Sequence, residues 1–440
     1  MLVFPKNLRD NANPLKKLGA CSVQHAQLLL ILACVFGFFM AWGIGANDVA
    51  NAVGTSVGSK ALSIRNAIII AAIFESLGAI LAGGQVADTI RSGIIDPSMF
   101  SANPEVLVYG MLASLLAAGT WLLLASCFGW PVSTTHSIVG AIIGFGLLKL
   151  GADAVAWNVV GQIVASWVIT PVVAGIIGYL CFASLMRLIL NKSDPLKYAK
   201  RYLPYYIFFI ALVISLVTVL KGLKHLNLML DFKLSVILSI GVSLFVMFVG
   251  TISLRHLNQR DIIGLKKRKQ LERIFAVLLV FSACATAFAH GSNDIANAIG
   301  PLAAIVNIVR SGGDVTANYP LPIWILFFGA VGVLTGLATY GYKVIATIGT
   351  GITELTPSRG FAASLATAST VVIASGIGVP ISTTHTLVGA ILGVGFARGI
   401  YAINLSMIRN IFVSWLITIP AGAIFAMVYY RIISGLFAFF

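Results

Sequence analysis

Charged residues are scarce in this sequence: they make up 10% of its 440 residues, whereas hydrophobic residues make up 59%. Because an ordinary soluble domain carries about 25% charged residues, this composition excludes a soluble protein. Continuous apolar runs recur from residues 27–45 to 411–440, and a helix of about 20 such residues crosses the hydrocarbon of a bilayer. The runs do not alternate with polar residues, which excludes a membrane β-barrel. The sequence therefore predicts an all-α polytopic membrane protein.

Cysteine is also scarce, and its five residues are scattered singly through apolar sequence. Without a C-x-x-C pair, neither a disulfide framework nor a soft-metal site is predicted. The sequence likewise lacks a nucleotide-binding glycine loop and an arrangement of nucleophile and base. We therefore expect no enzymatic activity and no resident cofactor. The first apolar run leads directly into polar residues without a signal-peptidase cleavage pattern, so we expect it to be a structural helix.

The few charged residues are mostly basic, and the formal net charge is +15. Lys and Arg residues crowd the segment 255–273, which contains only two acidic residues, Asp261 and Glu272. The positive-inside rule places such a loop in the cytoplasm. Because this topological role explains the basic cluster, no nucleic-acid partner is expected.

Three blocks of sequence occur twice, in the same order and at a nearly constant separation. The Asn-Asp pair at 47–48 returns at 293–294, and the block Pro-x-Ser-Thr-Thr-His that begins at Pro131 returns at Pro380. A Ser-Trp pair at 166–167 returns at 414–415. Membrane proteins built from such repeats bind their substrates near the bilayer midplane, where interrupted helices form the site.

We therefore predict two homologous repeats of transmembrane helices, inverted relative to each other, with discontinuous or re-entrant helices at the midplane. An N-terminal tail occupies 1–24 and the first transmembrane repeat 25–201. A linker with two transmembrane helices and the basic cytoplasmic loop occupies 202–273, and the second repeat occupies 274–440.

The segment Asn-Asp-x-Ala-Asn places a carboxylate inside an apolar run. On a continuous helix Asn47, Asn51 and Thr55 share one stripe, and Asp48 lies beside it. A carboxylate at membrane depth is costly unless it is paired or binds a cation, so Asp48 is a candidate functional residue. Carboxylate, amide and hydroxyl oxygens are ligands that a hard cation such as sodium prefers. Helix capping at the membrane interface is the alternative role.

The two Pro-x-Ser-Thr-Thr-His blocks are typical of helix starts, because proline ends the preceding segment and a hydroxyl residue caps the next helix. A helix N-terminus offers free N–H groups and a partial positive charge, which suit an anion. Two such starts facing each other, with their hydroxyl groups, would suit an oxyanion such as phosphate. Simple capping by these hydroxyls is the alternative.

Glu75 lies inside an apolar run, and the aligned position in the second half is Gly329. An unpaired intramembrane glutamate is predicted to bind a cation or to exchange a proton. Histidines are matched between the halves at His136 and His385, whereas His290 aligns with Ile44. For a histidine in an apolar helix, a hydrogen-bonding role is favoured over a substrate or proton role.

These motifs resemble those of the inorganic phosphate transporter (PiT) family, the sodium–phosphate or proton–phosphate symporters. The signature Gly-x-Asn-Asp-x-Ala-Asn-x-x-Gly is matched at 45–54 and 291–300, and the resemblance extends through both Ser-Thr-Thr-His blocks. It implies an inverted-repeat helical fold, phosphate uptake driven by a cation gradient, and a homodimer. The second copy departs after Gly300, where Pro301 replaces Thr55, so the first copy is expected to contribute an extra ligand.

We therefore predict an integral protein of the cell membrane that imports inorganic phosphate by alternating access, with sodium as the coupling ion. The resemblance assigns the cation to the aspartates and second asparagines of both motifs, and phosphate to the hydroxyl clusters with help from the same motifs. The predicted phosphate ligands are Ser133, Thr134, Thr135, Ser382, Thr383, Thr384, Asn51, Asn297, Asp48 and Asp294. The predicted sodium ligands are Asp48, Asn51, Asp294, Asn297, Asn47, Asn293, Thr55 and Glu75.

Three alternatives remain open at this point. A permease for sulfate or another oxyanion would use the same helix starts, although phosphate near neutral pH carries a proton that it can donate to a carboxylate. A proton-coupled phosphate symporter would use the same phosphate site. An anion channel would conduct without coupling to a gradient.

Overall fold

The computed structural model describes residues 25–220, 230–256, 267–317, 319–342, 344, 356–399 and 405–438. The predicted tail, 1–24, and residues 257–266 of the basic loop lie outside the described residues. Within the described part, the α-helices are α1 (Ala26–Asn47), α2 (Val49–Gly58), α3 (Ile64–Ala82), α4 (Gly84–Asp88), α5 (Pro104–Cys127), α6 (Thr134–Leu150), α7 (Trp157–Leu185), α8 (Pro195–Leu220), α9 (Phe232–His256), α10 (Lys267–Asp294), α11 (Ala296–Arg310), α12 (Ile323–Thr339), α13 (Pro357–Gly376), α14 (Thr383–Arg398) and α15 (Leu405–Phe437).

The helices are long because the apolar runs are long. Nine helical stretches of the described residues have the length and composition needed to cross a membrane. α1 and α2 together form one of them, Ala26–Gly58, and another, Lys269–Arg310, contains most of α10 and all of α11. The predicted all-α membrane fold is confirmed. α8 begins at Pro195, so the boundary predicted between residues 201 and 202 falls inside this helix.

Both Asn-Asp motifs interrupt a helix. α1 ends at Asn47 and α2 begins at Val49, so Asp48 lies between two helices, while α10 ends at Asp294 and α11 begins at Ala296. Asparagine and aspartate favour such positions because their side chains compete with the backbone for hydrogen bonds. Discontinuous helices at the motifs agree with the prediction, whereas the expected continuous stripe along 47–55 is broken at its start.

The two hydroxyl-rich helices, α6 and α14, follow the same kind of turn. Gly129 and Gly378 have φ angles of 67° and 75°, a left-handed conformation that favours glycine. After α5 the backbone N–H of Trp130 donates to the Ala125 carbonyl oxygen at 2.9 Å, and the equivalent bond follows α13. This bond closes the helix end, and the proline that follows prevents the old helix from resuming.

The two halves of the chain pack on each other through equivalent pairs of helices. α1 packs on α12 and α10 on α3, while α6 packs on α15 and α14 on α7. Each of these helices therefore contacts a helix of the other half. The pair formed by α1 and α12 is equivalent to the pair formed by α10 and α3, and the pair formed by α6 and α15 is equivalent to the pair formed by α14 and α7. This packing between the two halves brings both Asn-Asp motifs and both hydroxyl-rich helix starts into one region.

Glycines permit the closest of these contacts, because small residues let membrane helices approach each other. Gly291 on α10 faces the Glu75 backbone on α3, and its counterpart Gly45 on α1 faces the Val333 backbone on α12. The structural counterpart of Glu75 is therefore Val333. The alignment that placed Gly329 there was wrong, because loops of different length precede α3 and α12.

Replacing Gly336 with alanine should destabilise the α1–α12 contact. A Cβ at Gly336 would overlap the Trp42 carbonyl oxygen, and such overpacking costs about 1–3 kcal/mol. Gly161→Ala on α7 is the matched control, because a Cβ there meets nothing within 4 Å. We expect the purified Gly336→Ala protein to melt at a lower temperature than the wild type, and the Gly161→Ala protein to melt at the wild-type temperature. Equal melting temperatures would contradict the role of this contact.

Candidate functional site

The serines of the two hydroxyl clusters cap their helices. The Ser133 hydroxyl oxygen accepts from the His136 backbone N–H at 3.2 Å, and the Ser382 oxygen accepts from the His385 N–H at 3.3 Å. Capping, the alternative role considered for these clusters, is therefore the observed role of the serine oxygens. The threonines that follow lie in the first turns of α6 and α14 and make different contacts.

The Asp48 carboxylate joins the starts of α6 and α14. Its Oδ2 accepts from the Thr134 hydroxyl at 2.7 Å and its Oδ1 from the Thr384 hydroxyl at 2.7 Å, and Thr383 lies 3.5 Å from Oδ1. Asp48 is 1% exposed. One buried carboxylate from the first motif therefore binds hydroxyls of both halves.

Asp294 lies beside the same hydroxyls and is fully buried. Its Oδ1 lies 3.4 Å from the hydroxyl oxygens of both Thr134 and Thr135, and the Thr135 hydroxyl donates to the Ile381 carbonyl oxygen at 2.8 Å. The side-chain amides of Asn293 and Asn297 donate to the same oxygen at 3.2 and 3.3 Å. Thr134 is within hydrogen-bond distance of both aspartates, so the two motifs form one cluster.

In the side-chain amide of Asn297, the nitrogen has hydrogen-bond partners among the described residues and the oxygen has none. Its Nδ2 lies 3.2 Å from the hydroxyl oxygens of both Thr134 and Thr135. Its Oδ1 is buried and has no hydrogen-bond partner among the described residues. A buried amide oxygen of this kind is costly to leave unbonded, and it suits a cation.

Asn47 and Asn293 fix the segments that lead into the hydroxyl-rich helices. The Asn47 amide donates to the Trp130 carbonyl oxygen at 2.9 Å, and its Oδ1 accepts from the Val132 N–H at 3.2 Å. Asn293 bonds both backbone groups of Ile381 in the same way, at 2.8 and 3.4 Å. The structure therefore places these two predicted sodium ligands at the helix starts, where backbone groups occupy both ends of each amide.

Two other predicted ligands lie apart from this arrangement. The Thr55 hydroxyl oxygen is 2.9 Å from that of Ser364 on α13, and Thr55 follows Asp48 by seven residues, about 10 Å along a helix. The structure does not bring Thr55 to the aspartates. Asn51 lies in α2, but its side chain is outside the described set.

The sequence suggested that Glu75 has no partner. In the structure, however, His290 lies between Glu75 and Asp294. His290 Nδ1 is 3.1 Å from Glu75 Oε1, and Nε2 is 3.1 Å from Asp294 Oδ2. All three side chains are at most 1% exposed. The counterparts Val333 and Ile44 are apolar and buried, so this chain of three ionisable groups exists on one side of the site only.

His290 is a residue of this cluster that the sequence motifs alone did not single out. It precedes Asp294 by four residues, and residues four apart lie on one helix face. That spacing was a sufficient signal. One nitrogen of His290 and one oxygen each of Asp48 and Asp294 lie within 4.8 Å of one another, so His290 belongs to the same cluster as the two aspartates.

The matched histidines, His136 and His385, lie against aromatic rings. The ring centroid of His136 is 3.8 Å from that of Trp167, and the centroid of His385 is 3.3 Å from that of Trp415. The two histidine rings also lie 4.4 Å from each other, and His385 Nδ1 is 3.3 Å from the Trp167 carbonyl oxygen, so the contacts described for them are with each other and with the tryptophans.

The site thus combines buried carboxylates with hydroxyl, amide and backbone N–H donors. The partners described for the two aspartates are threonine hydroxyls, asparagine amides, one backbone N–H and His290. Carboxylates in such surroundings are stabilised by a cation. The helix starts carry partial positive charge and stabilise an anion.

Comparison with known proteins points the same way. Residues 44–426 match the phosphate transporter family, PHO4. A Haemophilus influenzae protein with the provisional name phosphate permease is 52% identical over 414 residues, which cover 94% of this chain and 99% of that protein. The Arabidopsis thaliana protein named Inorganic phosphate transporter 2-1, chloroplastic, is 43% identical over 448 residues, which cover 97% of this chain and 76% of that protein.

A solved structure described as the sodium-dependent phosphate transporter has a TM-score of 0.86 to this chain at 38% identity. The match covers 92% of this chain and 99% of that one. The resemblance inferred from the motifs is confirmed along most of the sequence, as is the expectation of a transporter rather than an enzyme. The chain belongs to the phosphate transporter family.

Proposed function

We propose that this protein imports inorganic phosphate together with sodium ions. The observation that carries the proposal is the cluster in which Asp48 and Asp294 meet the starts of α6 and α14. It offers carboxylates to a cation and hydroxyl-rich helix N-termini to an oxyanion. A cation and an anion bound together offset much of the cost of placing either in a membrane. The family and the similarity to a sodium-dependent phosphate transporter support this pair of substrates.

The cation is assigned first to Asp48, Asp294 and Asn297. These residues supply two carboxylates and an amide oxygen without a described partner, the oxygen ligands that a hard cation prefers. Glu75 acts on the same site through His290. Asn51 stays a predicted ligand, while Asn47 and Asn293 position the helix starts.

Phosphate is assigned to the threonine hydroxyls at the starts of α6 and α14. Each hydroxyl has one proton, so a threonine that donates to a carboxylate cannot also donate to phosphate. A sodium ion on the carboxylates replaces the hydroxyls as their partner, and the hydroxyl protons then face the anion. Sodium binding therefore precedes and promotes phosphate binding.

Proton coupling is the second candidate, and the position of His290 is the observation that favours it. A histidine between two carboxylates can accept a proton from one and pass it to the other. Chains of this kind mark proton paths in membrane proteins. Sodium coupling and proton coupling predict different results in one assay of phosphate uptake.

We further propose that two inverted repeats alternate access to the site, and that the protein is a homodimer in the cell membrane. The reciprocal packing of α1 on α12 and α10 on α3 supports two equivalent halves that can rock around a central site. The homodimer and the cell membrane follow from the resemblance. The mass of the protein in a native bilayer patch, compared with 46.5 kDa for one chain, tests the dimer.

Uptake of labelled phosphate into proteoliposomes separates the candidate functions. We expect an inward sodium gradient to drive accumulation of phosphate at least about tenfold above the level reached with a pH gradient alone, since a tenfold sodium gradient supplies about 1.4 kcal/mol, which corresponds to a tenfold concentration ratio. An excess of unlabelled sulfate should compete poorly, because sulfate has no proton to donate to Asp48 or Asp294.

Uptake indifferent to sodium but driven by a pH gradient would replace sodium with protons. Equal competition by sulfate would remove the specificity for phosphate. Passive conductance of the anion without accumulation would show a channel. Liposomes that lack the protein, and a collapsed sodium gradient at constant ionic strength, are the controls.

A further inference from the structure

A cavity of about 380 Å³ lies where five helices begin or end. Its walls come from the end of α7 and the turn after it, from the beginnings of α8, α10 and α13, and from the last residue of α14. Because α10 follows the basic loop, this is the side of the membrane that the positive-inside rule assigns to the cytoplasm. Sites for small molecules have volumes of about 300–1,000 Å³, so the cavity can hold more than a single ion.

The cavity is distinct from the aspartate cluster. Arg398, which lines it, follows Thr383 by fifteen residues, about 22 Å along α14. Neither Asp48 nor Asp294 is among the described residues that line it. A ligand in this cavity would therefore occupy a second site, separate from the transport function proposed above.

Two arginines on different helices supply the positive charge of the cavity. Arg359 lies in the first turn of α13 and is 5% exposed, whereas Arg398 ends α14 and is exposed. The ion pairs found among the described residues do not include Arg398. A guanidinium has five N–H donors, and a bidentate partner uses two of them, so each arginine can donate to a further ligand.

Glu272 is the acidic residue among the described residues that line the cavity, and its carboxylate is bound to the start of α13. The Ser358 backbone N–H donates to Oε2 at 3.0 Å, and the Ser358 hydroxyl donates to Oε1 at 2.9 Å. The partial positive charge of the helix N-terminus stabilises this carboxylate. With two arginines and one glutamate, the described lining has an excess of positive charge, which favours an anion.

The guanidinium groups and the apolar part of the wall indicate the kind of anion. Arginine binds phosphate oxygens through two parallel N–H···O bonds. A phosphate monoester has three acceptor oxygens and a charge of about −1.5 to −2 at pH 7, so it can accept from two arginines through separate oxygens. Phe182, Met186 and Leu271 also line the cavity, and they suit an organic group on the phosphate.

We propose that this cavity binds a small organic phosphate monoester. The phosphate oxygens accept from Arg359 and Arg398, and the organic group lies against the apolar side chains. A soluble monoester and the head group of phosphatidic acid share this chemistry.

Binding of phenyl phosphate to the full-length protein in a neutral detergent, measured by calorimetry without sodium, tests the proposal. We expect saturable binding that is at least about tenfold tighter than the binding of phenyl sulfate, which has a similar shape but less negative charge, since bonds to charged groups are the stronger ones. The Asp48→Asn protein should bind phenyl phosphate as the wild type does, so the result does not depend on the transport proposal.

Matched variants locate the site. Arg398→Gln should weaken the binding of phenyl phosphate at least about tenfold, because it removes charge-assisted hydrogen bonds. Arg409→Gln on α15 should not, since Arg409 is likewise exposed but does not line the cavity. Glu272→Gln keeps an acceptor for Ser358 and removes the negative charge, so this variant should bind phenyl phosphate more tightly.

Nanodiscs with and without phosphatidic acid distinguish the two sources of the phosphate group. A lower apparent affinity for phenyl phosphate in nanodiscs that contain phosphatidic acid would identify the lipid head group as the ligand. The same affinity in both kinds of nanodisc would identify a soluble monoester.

Three results would overturn the proposal. Absence of saturable binding to the wild type, or equal affinities of the wild type and Arg398→Gln, would remove the site. Equal affinities for phenyl phosphate and phenyl sulfate would remove the selectivity for a phosphate monoester. Binding that persists in Arg398→Gln but is lost in Asp48→Asn would place the probe in the aspartate cluster instead.

Discussion

Asp48→Asn is expected to reduce the initial rate of phosphate uptake by about 100-fold or more. Asp48 is the carboxylate that accepts hydroxyl protons from both halves of the chain, and its charge is the one assigned to the cation. Without this carboxylate, a buried cation would lose an opposite charge, which costs at least about 3 kcal/mol. A loss of that size corresponds to about a 100-fold lower rate of uptake. The measurement is uptake of labelled phosphate under a sodium gradient, together with the sodium-induced rise in melting temperature, which should disappear.

The matched control is Asp314→Asn in the loop between α11 and α12. Hydrogen bonds from Thr316 lower the pKa of the Asp314 carboxyl, so Asp314 is charged at neutral pH, but it lies outside the cluster. We expect wild-type uptake for this control. Uptake near the wild-type rate in a folded Asp48→Asn protein would refute the assignment of the cation site.

The second large effect is expected from removing the asymmetry of the site. His290→Ile introduces the residue of the other half and leaves the buried Glu75 carboxylate without its described partner. Breaking a buried ion pair in this way costs about 3–5 kcal/mol, so the melting temperature should fall strongly. The double variant Glu75→Val with His290→Ile has the apolar pair of the other half, and we expect it to recover most of the lost stability.

Uptake should not recover in the double variant, because the groups that act on Asp294 are gone. Melting curves and sodium-driven uptake of the wild type, both single variants and the double variant form a complete cycle. A double variant less stable than His290→Ile alone would refute the ion pair. A double variant with wild-type uptake would show that Glu75 and His290 only stabilise the fold.

The hydroxyl clusters show how far a local pattern can be interpreted. The block Pro-x-Ser-Thr-Thr-His predicts a helix start correctly, because the turn, the proline and the cap are properties of neighbouring residues. Which hydroxyl caps and which contacts a carboxylate could not be predicted, because serine and threonine offer the same donor and acceptor. The packing of α6 on α15 and of α14 on α7 orients the threonines toward Asp48 and Asp294.

The Asn-Asp motifs illustrate the same limit. Their repetition predicted two carboxylates in one site, and the structure places both within reach of Thr134. The first asparagine of each motif was predicted to bind sodium, yet both its amide oxygen and its amide nitrogen bond backbone groups of the segment before α6 or α14. The same asparagine side chain can bind sodium or hydrogen-bond a backbone segment. Only its distance to the segment before α6 or α14 distinguishes these two roles.

The sequence by itself determined the membrane class, the duplication and the family, because hydropathy, helix interruption and repeated motifs are all properties of residues close together in the chain. Tertiary structure alone decided that Glu75 is paired with His290, 215 residues away, and that Thr55 contacts Ser364 rather than the aspartates. The physical reason is that such partners meet only when α3 packs on α10 and α2 on α13. Those contacts depend on which helix faces are small enough to approach each other, and on the packing of the whole bundle.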